Sequence, residues 1–191
     1  MNVLIIKAHP ASYGFTHVIA DTYKETSEQS GKVVEIIDLY NKDYEQSFLC
    51  FEDLRKDCGP TEVKTLFQDK ISWADELVFI SPIWQMGVPA IMKNFFDVNL
   101  TAGFAFKYTK EGLVKLLSQK RAQFFLTADG PSWIYKIYNP FLRYMTLGGF
   151  LSAYCGIKIT SMVTFTEMRK KKNDQAREKM LNRVRKLAWK K

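Results

Sequence analysis

Short apolar runs alternate with segments of helical periodicity along this chain of 191 residues. Apolar runs of this length, bounded by turn residues, are typical of strands that are buried on both faces. They predict five strands, at Asn2–Lys7, Lys32–Tyr40, Asp75–Ser81, Lys120–Thr127 and Lys158–Phe165.

Apolar residues at helical spacing predict helices between these strands. The predicted helices are Thr16 to near Gly31, Thr61–Ser72, Val88–Asn99 and a mostly helical Tyr135–Tyr154. A last amphipathic helix has its apolar stripe at Ala176, Met180, Val184, Leu187 and Ala188. We interpret Asn41–Pro60 as a surface excursion and Leu100–Gln119 as a loop that contains a hairpin.

Strands and helices that alternate at this spacing form βαβ units with right-handed crossovers and a parallel sheet covered on both faces. We therefore predict a three-layer αβα fold with five parallel strands in the order 2-1-3-4-5. No repeat, low-complexity stretch or linker interrupts the pattern, so residues 1–191 are predicted to form a single domain. In this order strands 1 and 3 are neighbours, and ligands bind in the crevice at their carboxyl ends.

The loop after the first predicted strand, AHPASYGFT, leads directly into a helix. The hydroxyl groups of Ser12 and Thr16, close backbone approach at Gly14 and the helix N-terminus suit a phosphate group. The alternative, that Ser12 and Thr16 only cap the helix, stays open. The loop is neither GxGxxG nor a P-loop motif, which disfavours a Rossmann dinucleotide site and a P-loop NTPase.

The loops after the third and fourth predicted strands, SPIWQMG and TADGPSWIY, reach the same edge of the sheet. Backbone N–H groups and the flat side chain of Trp84 suit the edge of a planar ligand, and the alternative is an ordinary strand-to-helix connection. A response-regulator receiver shares this topology but needs acidic residues at the end of strand 1. This chain has Lys7, Ala8 and His9 there, which excludes that class.

The formal net charge of +8 raises the question of a nucleic-acid partner. The excess positive charge is concentrated in the last predicted helix, where the apolar stripe docks and the basic face is solvated. We therefore predict no nucleic-acid partner, and a positive field that helps to attract anionic cofactors.

Three cysteines and two histidines without metal-ligand spacing predict no metal site. Free thiols favour a reducing compartment, and the chain starts on a strand without a leader. The longest apolar stretch, between Arg143 and Lys158, is too short to span a bilayer. These features predict a cytoplasmic protein without a membrane span.

Three ordered motifs resemble the flavodoxin-like NAD(P)H:quinone oxidoreductases of the DT-diaphorase type. His9, Phe15 and Thr16 match the family pattern His-x-x-x-x-x-Phe-Asn, with threonine in place of asparagine. PIWQMGVPAIMKNFFD is similar to the family segment that ends in GVPAILKGWFD, and TADGPSWIY is similar to TTGGxxxxY. Bacterial members include general NAD(P)H oxidoreductases and flavin subunits of potassium-efflux systems.

The resemblance implies a bound flavin and assigns residues to it. The phosphate region would be held by His9, Ser12, Phe15 and Thr16, the isoalloxazine edge by Pro82, Ile83, Trp84, Gln85 and Met86, and the pyrimidine side by Thr127, Ala128, Asp129, Gly130 and Tyr135. Phe106 and Tyr108 would come from a partner subunit to cover the substrate, which implies a homodimer.

The chain departs from the family pattern at several of these positions. Ala128 and Asp129 replace a threonine and a glycine, so a carboxylate near the flavin would disfavour an anionic reduced flavin. Phe141 stands where studied members have a histidine, so a proton relay from Tyr135 is unsupported. Tyr135 is the candidate catalytic residue, and a packing role is the alternative. Gln85 and Met86 stand where aromatic residues are common.

The resemblance implies an enzyme that passes a hydride from NAD(P)H through the flavin to a quinone or similar small acceptor by a ping-pong mechanism. The phosphate loop suits FMN and FAD equally, and the short chain favours FMN. The alternative function is a flavin-bound regulatory subunit of a membrane transporter of the potassium-efflux type.

Overall fold

The computed structural model describes residues 1–53, 56–57, 61–137, 148–170 and 173–190. The strands are β1 Asn2–Lys7, β2 Val33–Asp38, β3 Phe51–Asp53, β4 Lys56–Asp57, β5 Glu76–Pro82, β6 Phe106–Thr109, β7 Gly112–Lys115, β8 Arg121–Thr127 and β9 Lys158–Phe165. The helices are α1 Phe15–Gln29, α2 Glu62–Trp73, α3 Ala90–Asn99, α4 Ser132–Ile137, α5 Gly148–Phe150 and α6 Asp174–Ala188, with a 3₁₀ turn at Lys42–Tyr44 and a π-helical segment at Leu151–Cys155.

The central sheet has five parallel strands in the order β2-β1-β5-β8-β9. Counted along the chain, these strands have the order 2-1-3-4-5, so the predicted topology is confirmed. The hairpin expected within Leu100–Gln119 is formed by β6 and β7. The Asn41–Pro60 segment contains the 3₁₀ turn and the short antiparallel pair of β3 and β4 in addition to loop.

Apolar side chains of the sheet form two cores, because successive residues of a strand point to opposite faces. Val3 and Ile5 of β1 belong to the core beneath α1 and α6, whereas Leu4 and Ile6 belong to the core beneath α2 and α3. Parallel strands that are buried on both faces have continuous apolar sequences, which explains why such strands could be recognised from the sequence.

Helix α6 is fixed to the sheet at its C-terminal end by the buried side chain of Lys32. The Lys32 ammonium donates hydrogen bonds to the backbone oxygens of Ala188 and Lys190, each at 2.7 Å, and lies 3.9 Å from Glu76 Oε2. Burial lowers the pKa of Lys32, while the nearby Glu76 carboxylate opposes that shift. Val184 and Ala188 of the predicted apolar stripe are fully buried. This anchoring holds the opposite end of α6 beside the carboxyl edge of the sheet.

Cys155 is free and buried, but Cys50 is disulfide-bonded, so the expectation of free thiols is wrong at Cys50. The predicted helical segment Tyr135–Tyr154 is helical at both ends, and residues 138–147, which include Phe141, lie outside the described residues. In the described part of the chain, no helix has the length and apolar character needed to cross a membrane.

Candidate functional site

Main-chain hydrogen bonds continue the sheet into the loops at its carboxyl edge. The backbone N–H of Ala8 donates to Ile80 at 2.9 Å, that of Ile83 donates to Thr127 at 2.8 Å, and that of Ala128 donates to Phe165 at 2.8 Å. The loops after β1, β5, β8 and β9 therefore start in fixed positions at the carboxyl edge, and the switch point of strand order lies between β1 and β5.

A pocket of about 470 Å³ opens between these loops. Seven predicted site residues line it: Phe15, Pro82, Ile83, Trp84, Thr127, Ala128 and Asp129. Met168 and Arg169 from the loop after β9, and Arg177 from α6, complete the lining. The structure thus brings together residues from all three predicted loops and adds residues from a fourth segment, the loop after β9 and the start of α6, that the sequence analysis did not assign to the site.

The N-terminus of α1 is not capped by a side chain. Gly14 is its N-cap residue with a φ of +129°, and no acidic residue lies in the first turn. The alternative in which Ser12 and Thr16 only cap the helix is therefore wrong. Thr16 is buried and Ser12 is exposed, and neither lines the pocket. The free N–H groups of a helix start favour an anion at this position.

His9 does not line the pocket. It is half-buried, and its Nδ1 atom is 3.2 Å from the backbone nitrogen of Ala11, which donates to it. His9 thus shapes the loop through the main chain.

Trp84 and Gly87 enclose a tight turn whose central residues are Gln85 and Met86. Reciprocal backbone hydrogen bonds of 2.9 Å join Trp84 and Gly87. Gln85 has a φ of +48° and Met86 a φ of +64°, values that side-chain-bearing residues seldom adopt. Gln85 is exposed and Met86 packs against the core beneath α2 and α3, so neither lines the pocket. The turn leaves Trp84 at the pocket with 46% of its surface exposed.

The carboxylate of Asp129 is paired. Its Oδ1 atom accepts from the backbone nitrogen of Arg169 at 2.8 Å, and its Oδ2 atom lies 2.5 Å from Arg169 Nε. The Arg169 guanidinium thus partly compensates the Asp129 charge, and the expected effect of that carboxylate on a reduced flavin stays a prediction. The pair also joins the loop after β8 to the loop after β9.

Tyr135 packs closely against Gly130. A Cβ atom placed on Gly130 would lie 3.0 Å from the Tyr135 hydroxyl oxygen and 3.2 Å from Cε2, so only glycine fits without displacement of the ring. Tyr135 is half-buried against the core beneath α2 and α3, and neither residue lines the pocket.

Arg177 supplies an unsatisfied donor to the pocket. Its Nε atom is buried and has no hydrogen-bond partner among the described residues, and its guanidinium carbon lies 5.9 Å from the centre of the Phe15 ring. Buried donors of this kind are rare in native proteins and point to an absent acceptor. A sequence signal was present, because Arg177 precedes Leu181, Val184 and Ala188 on the buried side of α6 at helical spacing.

Phe106 and Tyr108 lie on β6 and do not line the pocket of their own chain. The Phe106 ring contacts the rings of Tyr108, Phe150 and Tyr154, with centroid distances of 5.7, 5.9 and 5.7 Å. Tyr108 is 69% exposed. Their predicted contribution across a subunit interface stays a prediction.

Comparisons with known proteins agree with the architecture. The family model Flavodoxin_2, described as a flavodoxin-like fold, matches residues 1–188. An "Uncharacterized NAD(P)H oxidoreductase" of Haemophilus influenzae is 32% identical over 186 residues, which cover 95% of this chain and 91% of that protein. An "FMN-dependent NADH:quinone oxidoreductase" of Clostridium beijerinckii is 34% identical over 138 residues, which cover 67% and 69% of the two chains. The crystal structure of Smu.1420 from Streptococcus mutans has a TM-score of 0.81 at 30% identity and covers 99% of both chains.

Proposed function

The chain belongs to the Flavodoxin_2 family of flavodoxin-like proteins, and we propose that it is an FMN-dependent NAD(P)H oxidoreductase that reduces a quinone or a similar small acceptor. The observation that carries this proposal is the convergence of seven predicted flavin-site residues on one pocket beside the unpaired Arg177 donor. The names of the Haemophilus and Clostridium relatives support the same activity.

The residues at the pocket fit a flavin mononucleotide. The uncapped start of α1 and the buried Nε of Arg177 offer donors to a phosphate monoester. Trp84, Ile83 and Ala128 offer flat and apolar surface to a planar ring system. The pocket volume of about 470 Å³ lies in the range of small-molecule sites. FMN is preferred over FAD because the Clostridium relative is named as FMN-dependent.

A flavin held by these residues would supply the redox chemistry, which is hydride transfer between the nicotinamide and the acceptor. The protein residues bind and orient. The Asp129–Arg169 ion pair fixes the loop that borders the pocket, and the turn after Trp84 holds that indole at the opening. A ping-pong order, in which the nicotinamide leaves before the acceptor binds, is part of the proposal. Tyr135 stays the catalytic candidate, and its contact with Gly130 supports a role in holding the loop.

The proposal includes a single-domain homodimer in the cytoplasm with no nucleic-acid partner. In it, Phe106 and Tyr108 cover the acceptor site of the partner subunit. Light scattering coupled to size-exclusion chromatography tests the dimer, and a monomer at working concentration contradicts it. The relatives are named as oxidoreductases, so the alternative role as a transporter subunit gains no support from them.

The decisive experiment is an absorbance spectrum of the purified protein, followed by heat release and chromatography of the chromophore. We expect flavin bands that bleach under anaerobic NADH or NADPH and return when a soluble quinone is added, with FMN as the released species. Double-reciprocal plots of initial rate against NADH or NADPH concentration, measured at several fixed quinone concentrations, should give parallel lines. A colourless protein that takes up neither FMN nor FAD contradicts the flavin proposal.

A further inference from the structure

Two side chains that the proposed function does not use support the loop between β1 and α1. The ammonium nitrogen of Lys7, at the end of β1, lies 2.9 Å from His17 Nδ1, and the other ring nitrogen of His17 lies 2.7 Å from the backbone oxygen of Ala11. Lys7 also lies 3.2 Å from Asp38 Oδ2, at the end of β2. Asp38, Lys7, His17 and Ala11 thus form one continuous series of polar contacts.

The partners determine which nitrogen of His17 carries its proton. A lysine ammonium only donates, so Nδ1 must accept, and a backbone carbonyl only accepts, so Nε2 must donate. His17 is thus held between one donor and one acceptor. The Lys7 charge is compensated by Asp38 and not by His17.

Both polar groups of the Ala11 backbone are held by histidines. Its N–H donates to His9 Nδ1 at 3.2 Å, and its carbonyl oxygen accepts from His17. The two rings meet edge to face with centroids 5.9 Å apart. Because the Ala11 carbonyl oxygen accepts a hydrogen bond from His17, this negatively polarised atom points toward the protein side of the loop.

The residues that follow Ala11 carry free donors. Within the described residues, the backbone N–H groups of Ser12, Tyr13 and Gly14 donate to no protein acceptor, and all three residues are exposed. Successive free N–H groups in front of a helix start bind anions when the backbone holds them in one arrangement. The unpaired Nε of Arg177 lies beside the same helix start, over the Phe15 ring.

We propose that Lys7 and His17 are positioning residues that hold the loop of residues 8–14 in its phosphate-binding shape. The ligand group is a phosphate monoester, and the inference rests on the proposed function because the FMN phosphate is the natural occupant. Neither residue touches the phosphate. They act by fixing Ala11, which leaves the following N–H groups free and preorganised.

The test compares ligands with and without a phosphate. Dissociation constants of FMN and riboflavin are measured for the flavin-free protein by fluorescence quenching, for the wild type and for His17→Leu, Lys7→Met and His17→Gln. His17→Leu removes both hydrogen bonds and should weaken FMN binding about tenfold. Riboflavin binding should stay unchanged. His17→Gln should restore most of the FMN affinity, because its amide oxygen accepts from Lys7 and its amide nitrogen donates to Ala11.

Val18→Ala, on the same turn of α1, is the matched control, and thermal unfolding of each variant reports on its fold. An equal loss of FMN and riboflavin affinity in His17→Leu overturns the proposal, because it indicates general damage. Unchanged FMN affinity in both His17→Leu and Lys7→Met overturns it as well. If the wild type binds neither ligand, the proposed function itself fails, an outcome distinct from the other two.

Discussion

Replacement of Arg177 by methionine should change stability and cofactor affinity in opposite directions. Methionine keeps most of the apolar stem of Arg177 but removes its buried, unpartnered Nε donor. An unsatisfied buried donor costs about 1–3 kcal/mol. The lost contact with the Phe15 ring, at 5.9 Å, offsets about 0.5–1 kcal/mol of that gain. The flavin-free variant should therefore be more stable than the wild type by about 1 kcal/mol.

The same change should weaken FMN binding. A hydrogen bond between a guanidinium and a phosphate contributes about 1.5–3 kcal/mol, which corresponds to about a tenfold to hundredfold change in the dissociation constant. Urea unfolding of the flavin-free protein measures the first effect, and titration with FMN measures the second. Arg183→Met, at an exposed position of the same helix, is the control and should change neither quantity.

Opposite signs are what distinguish a cofactor donor from a structural arginine. Truncation of a structural arginine would lower the stability of the protein and leave its FMN affinity nearly unchanged. If Arg177→Met shows that combination, the assignment of Arg177 to the phosphate is refuted, and the pocket loses its strongest argument for an anionic ligand.

Three further predictions concern the surroundings of the site. Gly130→Ala should displace the Tyr135 ring and lower the free energy of unfolding in urea by about 1–3 kcal/mol. Gly87→Ala, whose added Cβ would have its nearest contact at 3.9 Å, is the control and should be neutral. Equal losses of stability in the two variants would contradict the predicted clash. Gln85→Gly should stabilise by about 0.5–1 kcal/mol and Gln85→Val should destabilise, because φ at this position is +48°; the reverse order in urea unfolding contradicts the strain. Burial raises the pKa of Cys155 to about 12, so its thiolate form is suppressed at neutral pH, and peptide mass spectrometry should find it alkylated only after unfolding; alkylation of the native protein contradicts this.

The inner strands β1, β5 and β8 could be predicted because burial on both faces leaves a continuous apolar run in the sequence. β9 has the predicted bounds, Lys158–Phe165, and β8 differs from its prediction by one residue at the start. The short β3–β4 pair was not predicted, since two strands of this length leave no periodicity to detect. The predicted strand order was then sufficient to place the three loops at the carboxyl edge of the sheet, without any knowledge of side-chain contacts.

The parts of the site that the sequence did not predict are those that depend on tertiary contacts. Asp129 was identified as a departure from the family pattern, but its pairing with Arg169 joins loops that are 40 residues apart. Arg177 was included in a basic, solvated helix because charge composition does not reveal which residue of a run faces inward. Gln85 and Met86 were assigned to the flavin edge, and the tight turn that they form turns both away from the pocket lining.

Backbone hydrogen bonds that extend the sheet into its loops fix the position of the site independently of the side chains that line it. Those from Ala8, Ile83 and Ala128 all run from backbone to backbone, so they persist whatever side chains the loops display. A side chain such as Trp84 can be exchanged without relocating the main chain that would hold the cofactor. Under the proposed function, adaptation to a new acceptor would therefore start from local substitutions, and libraries at Ile83 and Trp84, which line the pocket after β5, are the natural place to begin.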